Sequence, residues 1–373
     1  KTNWFRKWDR VLDWDEPNFQ FYPGGQLNIA YNCLDYHVNR GWGGHAALIA
    51  MNENGERLTW TYAQLLEDVK KLSAALRGMG IGKGDRVAIY MPTCGEAIAL
   101  MLACARIGAV HLIVFAGFGA NALGDRIQMC GAKAAFATDS TYRKGKNIPL
   151  KGLLDDAIKV GGESIERVVI LRRTDTEVPM TPGRDITWDE FLALGKGQSD
   201  AHEVMESNDP LYILATSGTT ARPKLTVHNH GPYQVHVQSM ADWMFGMKPT
   251  DVWWATSDIG WAVGHAYITY APLLVGATTI AFEGSIDHPS VDTFYRILEE
   301  NHVSGLFTSP TAVRLFMRYG AEPARARSLA AIERVFCAGE VLNPPAWEWL
   351  QKEVFADRVP VIDHMWQTET GGP

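Results

Sequence analysis

Short apolar segments alternate with segments of helical pattern along most of the chain, and this alternation restricts the fold more than any other feature. The apolar runs at residues 86–91, 111–115 and 134–138 predict strands, whereas residues 96–107 and 121–129 predict helices. Strands separated by helices usually pair in parallel, and the helices then cover both faces of the sheet. The first half of the chain therefore predicts an α/β fold.

The second half of the chain repeats this alternation. Apolar runs predict strands at residues 211–215, 252–256, 278–282, 305–308, 335–337 and 359–363, with helices beginning near Tyr233 and His265. Residues 144–209 are more polar, with one clear strand at residues 168–171, and predict a connection between two units. We therefore predict two doubly wound sheets, in subdomains of about residues 1–209 and 210–373.

Composition excludes several classes of protein. The formal net charge of −7 over 373 residues argues against a nucleic-acid or anionic-membrane binder. The five cysteines are scattered without C-x-x-C spacing, which favours a reducing, cytoplasmic setting over a disulfide framework or a zinc site. The longest apolar stretch, residues 97–119, contains Arg106, Gly108 and His111, so it predicts a buried helix and strand rather than a membrane span.

A segment rich in hydroxyl groups follows the predicted strand at residues 211–215. It reads Thr216-Ser-Gly-Thr-Thr-Ala-Arg-Pro-Lys224. Backbone N–H groups, hydroxyls and the Lys224 ammonium of such a loop can surround phosphate groups. A surface turn has the same composition, and the residues alone leave both interpretations open.

A second informative segment closes the chain and reads Trp366-Gln-Thr-Glu-Thr-Gly-Gly372. The first segment resembles the phosphate-binding loop T-S-G-[ST]-T-G-x-P-K-G of the adenylate-forming superfamily. The second resembles the W-Q-T-E-T-G-G motif of its acetyl-CoA and propionyl-CoA synthetase branch. Ala221 and Leu225 stand where the family pattern has glycine. The resemblance implies a large N-terminal adenylation domain of an AMP-forming acyl-CoA synthetase.

That resemblance also implies what each position does. The implied catalytic residues are Thr216, Lys224 and Glu369, and Glu369 is also the implied ligand of Mg²⁺. The implied ATP and AMP contacts are Thr216, Ser217, Gly218, Thr219, Thr220, Lys224, Gly339, Glu340, Val341, Asp363, Trp366, Gln367 and Thr368. The implied acyl pocket comprises Ala262, Val263, Gly264, Ala338 and Trp366. The implied CoA contacts are Phe115, Ala116, Gly117, Arg143 and Lys146, the last two at the 3′-phosphate, although a solvated basic turn is an alternative for that pair.

The size of the implied pocket bears on the substrate. Trp366 is expected to exclude long chains, whereas Ala262 and Ala338 stand where acetate-specific relatives carry valine. We therefore expect propionate, 3-hydroxypropionate, acetate or butyrate as the acid, with overlapping use of neighbours. The cofactors implied by the resemblance are ATP, Mg²⁺ and coenzyme A.

Two other functions stay open from the sequence. A non-catalytic nucleotide or acyl-AMP binding module would account for Ala221 and Leu225 as signs of a decayed phosphate loop. An adenylation domain that loads a carrier protein is disfavoured by Arg143 and Lys146. We also expect a small C-terminal domain to be missing, and this chain alone to be nearly inactive, because the family's C-terminal lysine and hinge lie beyond the W-Q-T-E-T-G-G motif.

Three further patterns predict no site. The glycine-rich residues 78–84 precede a strand instead of following one and lack a Ser or Thr after Lys83. His228, His230 and His236 have no matching Cys or carboxylate spacing for a metal site. His265 is expected to shape the pocket rather than act as a base, and no G-x-S-x-G segment suggests a hydrolase.

Overall fold

The computed structural model describes residues 2–174, 176–216 and 223–373. Two seven-stranded sheets dominate this part of the chain. In spatial order, the first sheet contains Asp185–Thr187, Arg167–Leu171, Ala134–Thr138, Arg86–Tyr90, Val110–Ile113, Pro210–Thr216 and Lys224–Asn229. The second sheet contains Val361–Asp363, Arg334–Cys337, Gly305–Thr308, Val252–Ala255, Thr278–Glu283, Ala46–Asn52 and Arg57–Thr61.

Both sheets have the same construction, with six parallel strands and one antiparallel strand at an edge. Lys224–Asn229 is the antiparallel strand of the first sheet, and Arg57–Thr61 is that of the second. The central strands are buried on both faces, which is why they appear in the sequence as continuous apolar runs. The predicted α/β fold with two doubly wound sheets is confirmed.

Helices cover the sheets and fill the space between them. The longer ones are Tyr62–Gly78, Gly95–Arg106, Ala120–Cys130, Lys151–Gly161, His230–Trp243, Asp292–Glu300 and Pro310–Met317. The shorter ones are Ile29–Cys33, Asp35–His37, Trp188–Ala193, Ala262–Gly264, Ala271–Val275, Glu322–Arg325 and Pro344–Glu348, with π-helical turns at Val38–Trp42, His265–Tyr270 and Trp349–Val354. Two-stranded pairs complete the fold: Leu12–Asp15 with Asn18–Phe21, Ser140–Arg143 with Lys146–Pro149, and Gln26–Leu27 with Met205–Glu206.

The helix Gly95–Arg106 explains how the two sheets share a core. It is buried almost all round and packs against Val110–Ile113 of the first sheet and Ala46–Asn52 of the second. Apolar side chains from both sheets therefore belong to one continuous cluster. No helix in the described residues is both long and apolar enough to cross a bilayer, and the stretch at residues 97–119 forms this helix and the strand after it.

The boundary between the sheets differs from the predicted division at residue 209. Ala46–Asn52 and Arg57–Thr61 belong to the second sheet, although they precede the first sheet in sequence. Pro210–Thr216 and Lys224–Asn229 belong to the first sheet, because Tyr212 and Ile213 pair with the strand Val110–Ile113. Apolar patterning locates strands but does not specify their partners, so it could not reveal this exchange.

Candidate active site

A cavity of about 740 Å³ opens between the two sheets. Its walls include Phe115, Thr256, Thr308 and Ala338, each of which ends a parallel strand or follows one within two residues. In open α/β sheets, ligands bind in the crevice beyond the carboxyl ends of the strands. This cavity is therefore the candidate active site.

The cavity brings together residues that the sequence assigned to two different ligands. Phe115, Ala116, Gly117 and Arg143, which are implied CoA contacts, line it together with the implied acyl-pocket residues Val263 and Ala338. Lys146 is exposed and lies opposite Arg143 in the hairpin Ser140–Arg143 and Lys146–Pro149.

The remaining acyl-pocket residues lie directly behind the cavity wall. Gly264 is buried, and a Cβ atom there would lie 1.9 Å from the carbonyl oxygen of Asp258, so only glycine fits. Ala262 is half-buried against the core. The ring of Trp366 packs against Phe307, a cavity residue, with 5.8 Å between ring centroids.

The implied adenine contacts form a turn after the strand Arg334–Cys337. Gly339 has a φ of +109°, a conformation that glycine adopts readily. The carboxylate of Glu340 accepts hydrogen bonds from Thr311 and Arg314, and these contacts lower its pKa. Val341 is exposed, and the Asp363 carboxylate accepts a hydrogen bond of 3.2 Å from the backbone N–H of Leu342. The turn is thus fixed at both ends.

Thr216 and Lys224 face each other across the antiparallel pair Pro210–Thr216 and Lys224–Asn229. The two ends of the implied phosphate loop are therefore adjacent. Residues 217–222 lie outside the described residues, so the assignments of Ser217, Gly218, Thr219 and Thr220 and the effect of Ala221 stay predictions. Leu225, the other departure from the family pattern, pairs with Ala215 in the strand.

The closing segment of the chain packs onto the strand and helix that follow Lys224. The imidazole Nε2 of His228 lies 2.8 Å from the carbonyl oxygen of Thr368. A Cβ atom on Gly371 would lie 3.1 Å from the Tyr233 ring, and one on Gly372 would lie 2.4 Å from His236 Nε2. Gln367 and Gly372 pair with each other across the turn. The closing segment is therefore in contact with residues 228–236, which follow the implied phosphate loop in sequence, and Glu369 within this segment is exposed.

Comparisons with known proteins identify the family of the chain. Residues 36–373 match the family model described as AMP-binding enzyme. The chain belongs to the AMP-binding enzyme family. Residues 1–33 match a second model, described as the acetyl-coenzyme A synthetase N-terminus. Together these matches confirm the family that the two motifs predicted.

Several curated relatives of this AMP-binding enzyme are named acetyl-coenzyme A synthetase. The protein of Rubrobacter xylanophilus is 47% identical over 100% of this chain and 58% of its own length. That of Deinococcus radiodurans is 44% identical over 99% of this chain and 57% of its own length. That of Streptomyces avermitilis is 43% identical over 100% of this chain and 57% of its own length. The chain thus spans a little over half the length of these relatives.

Buried histidines of the AMP-binding enzyme are neutral at pH 7. Burial lowers the pKa of His265 to about 3 and that of His228 to about 4. The His265 ring is buried against the rings of Tyr212 and His111, at 4.5 and 5.5 Å between centroids, and those two rings also stack on each other. The His265 Nδ1 lies 3.1 Å from the Trp261 carbonyl oxygen. His265 therefore has a structural position behind the site, not that of an exposed base.

Sequence reasoning missed several polar residues of the cavity. Asp258 lines it, accepts hydrogen bonds from Thr93 Oγ1 at 3.0 Å and Gly260 N–H at 2.7 Å, and has a pKa raised by burial. Because Thr93 is 165 residues away from Asp258 in sequence, no local sequence pattern could indicate this hydrogen bond. Glu283 also lines the cavity and is buried. Their contacts join elements of the first sheet to the second.

Proposed function

We propose that the full-length protein activates a short-chain carboxylic acid with ATP and transfers the acyl group to coenzyme A, releasing AMP and pyrophosphate. One observation carries this proposal: a single cavity is lined both by Val263 and Ala338, for the acid, and by Phe115 and Arg143, for CoA. The names of the curated relatives support an acyl-CoA product. A module that only binds nucleotide would not need a CoA channel that joins the acyl pocket.

The first step is the attack of a carboxylate oxygen on the α-phosphorus of ATP, which forms acyl-AMP and expels pyrophosphate. Negative charge accumulates on phosphate oxygens, so this step requires charge stabilisation more than proton transfer. Thr216 and Lys224, adjacent at the two ends of the phosphate loop, would donate a hydroxyl and an ammonium to these oxygens. The absence of an exposed histidine base among the proposed residues is consistent with this requirement.

Glu369 is the residue proposed to bind Mg²⁺. Its carboxylate is exposed, and within the described residues no cation forms an ion pair with it. Carboxylate and hydroxyl oxygens are hard donors of the kind Mg²⁺ prefers, so Glu369 and the neighbouring Thr368 fit such an ion. When bound, Mg²⁺ would neutralise charge on the phosphate oxygens of ATP.

In the second step, the CoA thiolate attacks the acyl carbonyl and AMP leaves. Phe115, Ala116 and Gly117 would contact CoA along the channel, with Arg143 and Lys146 at its 3′-phosphate. For the acid we propose a propionate-sized chain, because Ala338 adds little volume to the wall that Val263 and Phe307 also form. Acetate and butyrate would then be poorer substrates by about 1–3 kcal/mol per methylene.

The test uses the full-length enzyme with ATP, Mg²⁺ and acids of two to five carbons. Acid-dependent exchange of pyrophosphate into ATP measures the first step, and AMP release with and without CoA measures the second. We expect exchange with short acids, CoA-dependent AMP release, and the largest kcat/KM near propionate. ATP binding without exchange for every acid would support the non-catalytic module, and exchange with acyl transfer only to a carrier protein would support the carrier alternative.

A matched pair of variants connects this activity to the proposed loop. Lys224→Met is expected to lower the exchange rate by about 100-fold, since it removes a cation from the developing phosphate charge. Lys248→Met is the control, because Lys248 is also an exposed lysine but pairs with Glu333 instead. Equal rates for the two variants would contradict the role of Lys224.

A further inference from the structure

Two buried carboxylates lie side by side at the ends of neighbouring strands of the second sheet. Glu53 directly follows Ala46–Asn52, and Glu283 ends Thr278–Glu283. The strands are adjacent, and the backbone N–H of Glu53 donates to the carbonyl oxygen of Glu283 at 3.0 Å. The two residues are only 7% and 3% exposed. A buried carboxylate needs several hydrogen-bond donors, so their partners indicate what they do.

Most of these donors come from the hairpin that carries the implied CoA cations. The Glu53 carboxylate accepts from the backbone N–H groups of Lys144 at 2.9 Å and Gly145 at 2.7 Å. The Glu283 carboxylate accepts from Thr141 Oγ1 at 2.9 Å and from the backbone N–H of Tyr142 at 3.1 Å. Two side chains of the second sheet thus accept hydrogen bonds from four donors of this short hairpin.

Contacts outside the hairpin also fix the side chains of Glu53 and Glu283. Glu53 accepts a further hydrogen bond of 2.7 Å from the backbone N–H of Ser285. Glu283 forms an ion pair of 2.6 Å with Arg173, whose guanidinium lies over the Tyr142 ring. The hairpin therefore rests on a rigid support and not on a mobile surface side chain.

Two features of the hairpin's own sequence are unfavourable for its stability. Arg143 and Lys146 pair directly across it, and like charges in that position destabilise a strand pair. Both turn residues, Lys144 and Gly145, have positive φ, at 52° and 72°; this turn geometry suits a two-residue hairpin, and glycine adopts it readily. A lysine in this left-handed conformation is unfavourable without support. Such a hairpin needs external contacts to present two cations at one place.

We propose that Glu53 and Glu283 are positioning residues for CoA: they hold the hairpin so that Arg143 and Lys146 converge on the 3′-phosphate at the rim of the cavity. The inference rests on the proposed function, because it assigns the hairpin to CoA. Each carboxylate acts through the backbone of the segment that carries the cations.

The sign of the expected effect separates positioning from simple electrostatics. Removing a negative charge near a phosphate would strengthen binding if only the long-range field mattered. Glu53→Gln, however, places an amide NH₂ among backbone N–H donors, which displaces the hairpin. We therefore expect weaker binding of CoA, with a KM raised about 10-fold.

The decisive measurement compares CoA with 3′-dephospho-CoA on the full-length enzyme. The native enzyme is expected to prefer CoA. In Glu53→Gln the KM for CoA rises about 10-fold while the KM for dephospho-CoA changes less than about twofold, so the preference is lost. The control is Glu56→Gln, which removes the same charge three residues away. Glu56 accepts a hydrogen bond from Asn52, and within the described residues its carboxylate has no hydrogen bond to the hairpin.

Each outcome has a distinct meaning. An equal rise in KM for both ligands, or a fall in the KM for CoA, overturns the positioning role. A native enzyme that makes acyl-CoA equally well from CoA and from dephospho-CoA overturns the positioning role as well, because no 3′-phosphate site then exists. A protein without any CoA-dependent activity contradicts the proposed function instead. If Glu53→Gln does not fold, Glu53→Asp retains the charge but withdraws its oxygens, and the same loss of preference is expected.

Discussion

The imidazole Nε2 of His228 lies 2.8 Å from the carbonyl oxygen of Thr368, and this contact joins the strand Lys224–Asn229 to the closing segment of the chain. A carbonyl only accepts, so Nε2 carries the proton and donates. The His228 ring also stacks on Tyr212 at 4.6 Å, which limits its movement. His228 therefore fixes the backbone that presents Thr368 and Glu369 next to the strand beginning at Lys224.

The first prediction concerns this hydrogen bond. His228→Leu is expected to slow acid-dependent pyrophosphate exchange about 10-fold or more, because the partly buried Thr368 carbonyl loses its donor and the turn shifts. In the same variant, the Mg²⁺ concentration for half-maximal exchange is expected to rise. His228→Gln retains an N–H near the position of Nε2 and is expected to recover most of the rate. Equal damage by Leu and Gln would mean that ring packing matters and the hydrogen bond does not.

The second prediction concerns stability at low pH. Burial lowers the pKa of His228 to about 4 and those of His230 and His265 to about 3, from an ordinary value of 6.5. Between pH 6.5 and 4 the unfolded chain binds protons that the folded chain does not. The free energy of unfolding therefore falls as the pH is lowered through this window, by up to about 1.4 kcal/mol per pH unit for each histidine. Above about pH 7.5 these three residues contribute little pH dependence, because their imidazoles are then neutral in both the folded and the unfolded chain.

Urea unfolding at pH 7 and pH 5 measures this slope. His230→Gln is expected to unfold more readily at pH 7 but with a smaller loss of free energy between the two pH values. His302→Gln changes an exposed histidine and serves as the control. An unchanged slope in His230→Gln would show that His230 is not buried in its neutral form.

The strands were predictable because their apolar runs are bounded by polar or turn residues. Ala134–Thr138 and Gly305–Thr308 have the limits that the pattern predicted. Their neighbours were not predictable, since pairing joins distant segments such as Ala46–Asn52 and Thr278–Glu283. The hairpin Ser140–Arg143 with Lys146–Pro149 was also missed, because Glu53 and Glu283, which accept hydrogen bonds from four of its donors, are distant in sequence.

The residues of the candidate site likewise fall into those that could be predicted from the sequence and those that could not. Segments with contiguous motifs, such as those around Lys224 and Thr368, could be assigned by resemblance. Residues that act through tertiary contacts could not be assigned in this way. Glu53, for example, binds backbone N–H groups, and the sequence of the partner segment does not indicate such a contact. Asp258 depends likewise on Thr93 from the other sheet.

The third prediction concerns the acid. Ala338 is 4% exposed and lines the cavity beside Val263 and Phe307. Ala338→Val adds two methyl groups to this wall and is expected to lower kcat/KM for propionate about 10-fold relative to acetate. Val263→Ala makes the opposite change and is expected to favour butyrate. A propionate-to-acetate ratio that is the same in both variants would place the acyl chain elsewhere.

The last prediction uses two glycines with opposite surroundings. In Gly264→Ala the new methyl group would lie 1.9 Å from the Asp258 carbonyl oxygen and 2.7 Å from the Ile259 Cα, and backbone atoms cannot move aside cheaply. We expect a loss of about 3 kcal/mol in the free energy of unfolding. The KM for the acid should also rise, because Val263 and Asp258 both line the cavity.

The control for this prediction is Gly152→Ala. Gly152 is an exposed residue of the helix Lys151–Gly161 with open space at its Cβ position, so alanine there should raise the free energy of unfolding by up to about 1 kcal/mol. If thermal unfolding moves equally in the two variants, close packing of Gly264 against Asp258 does not determine the shape of the site.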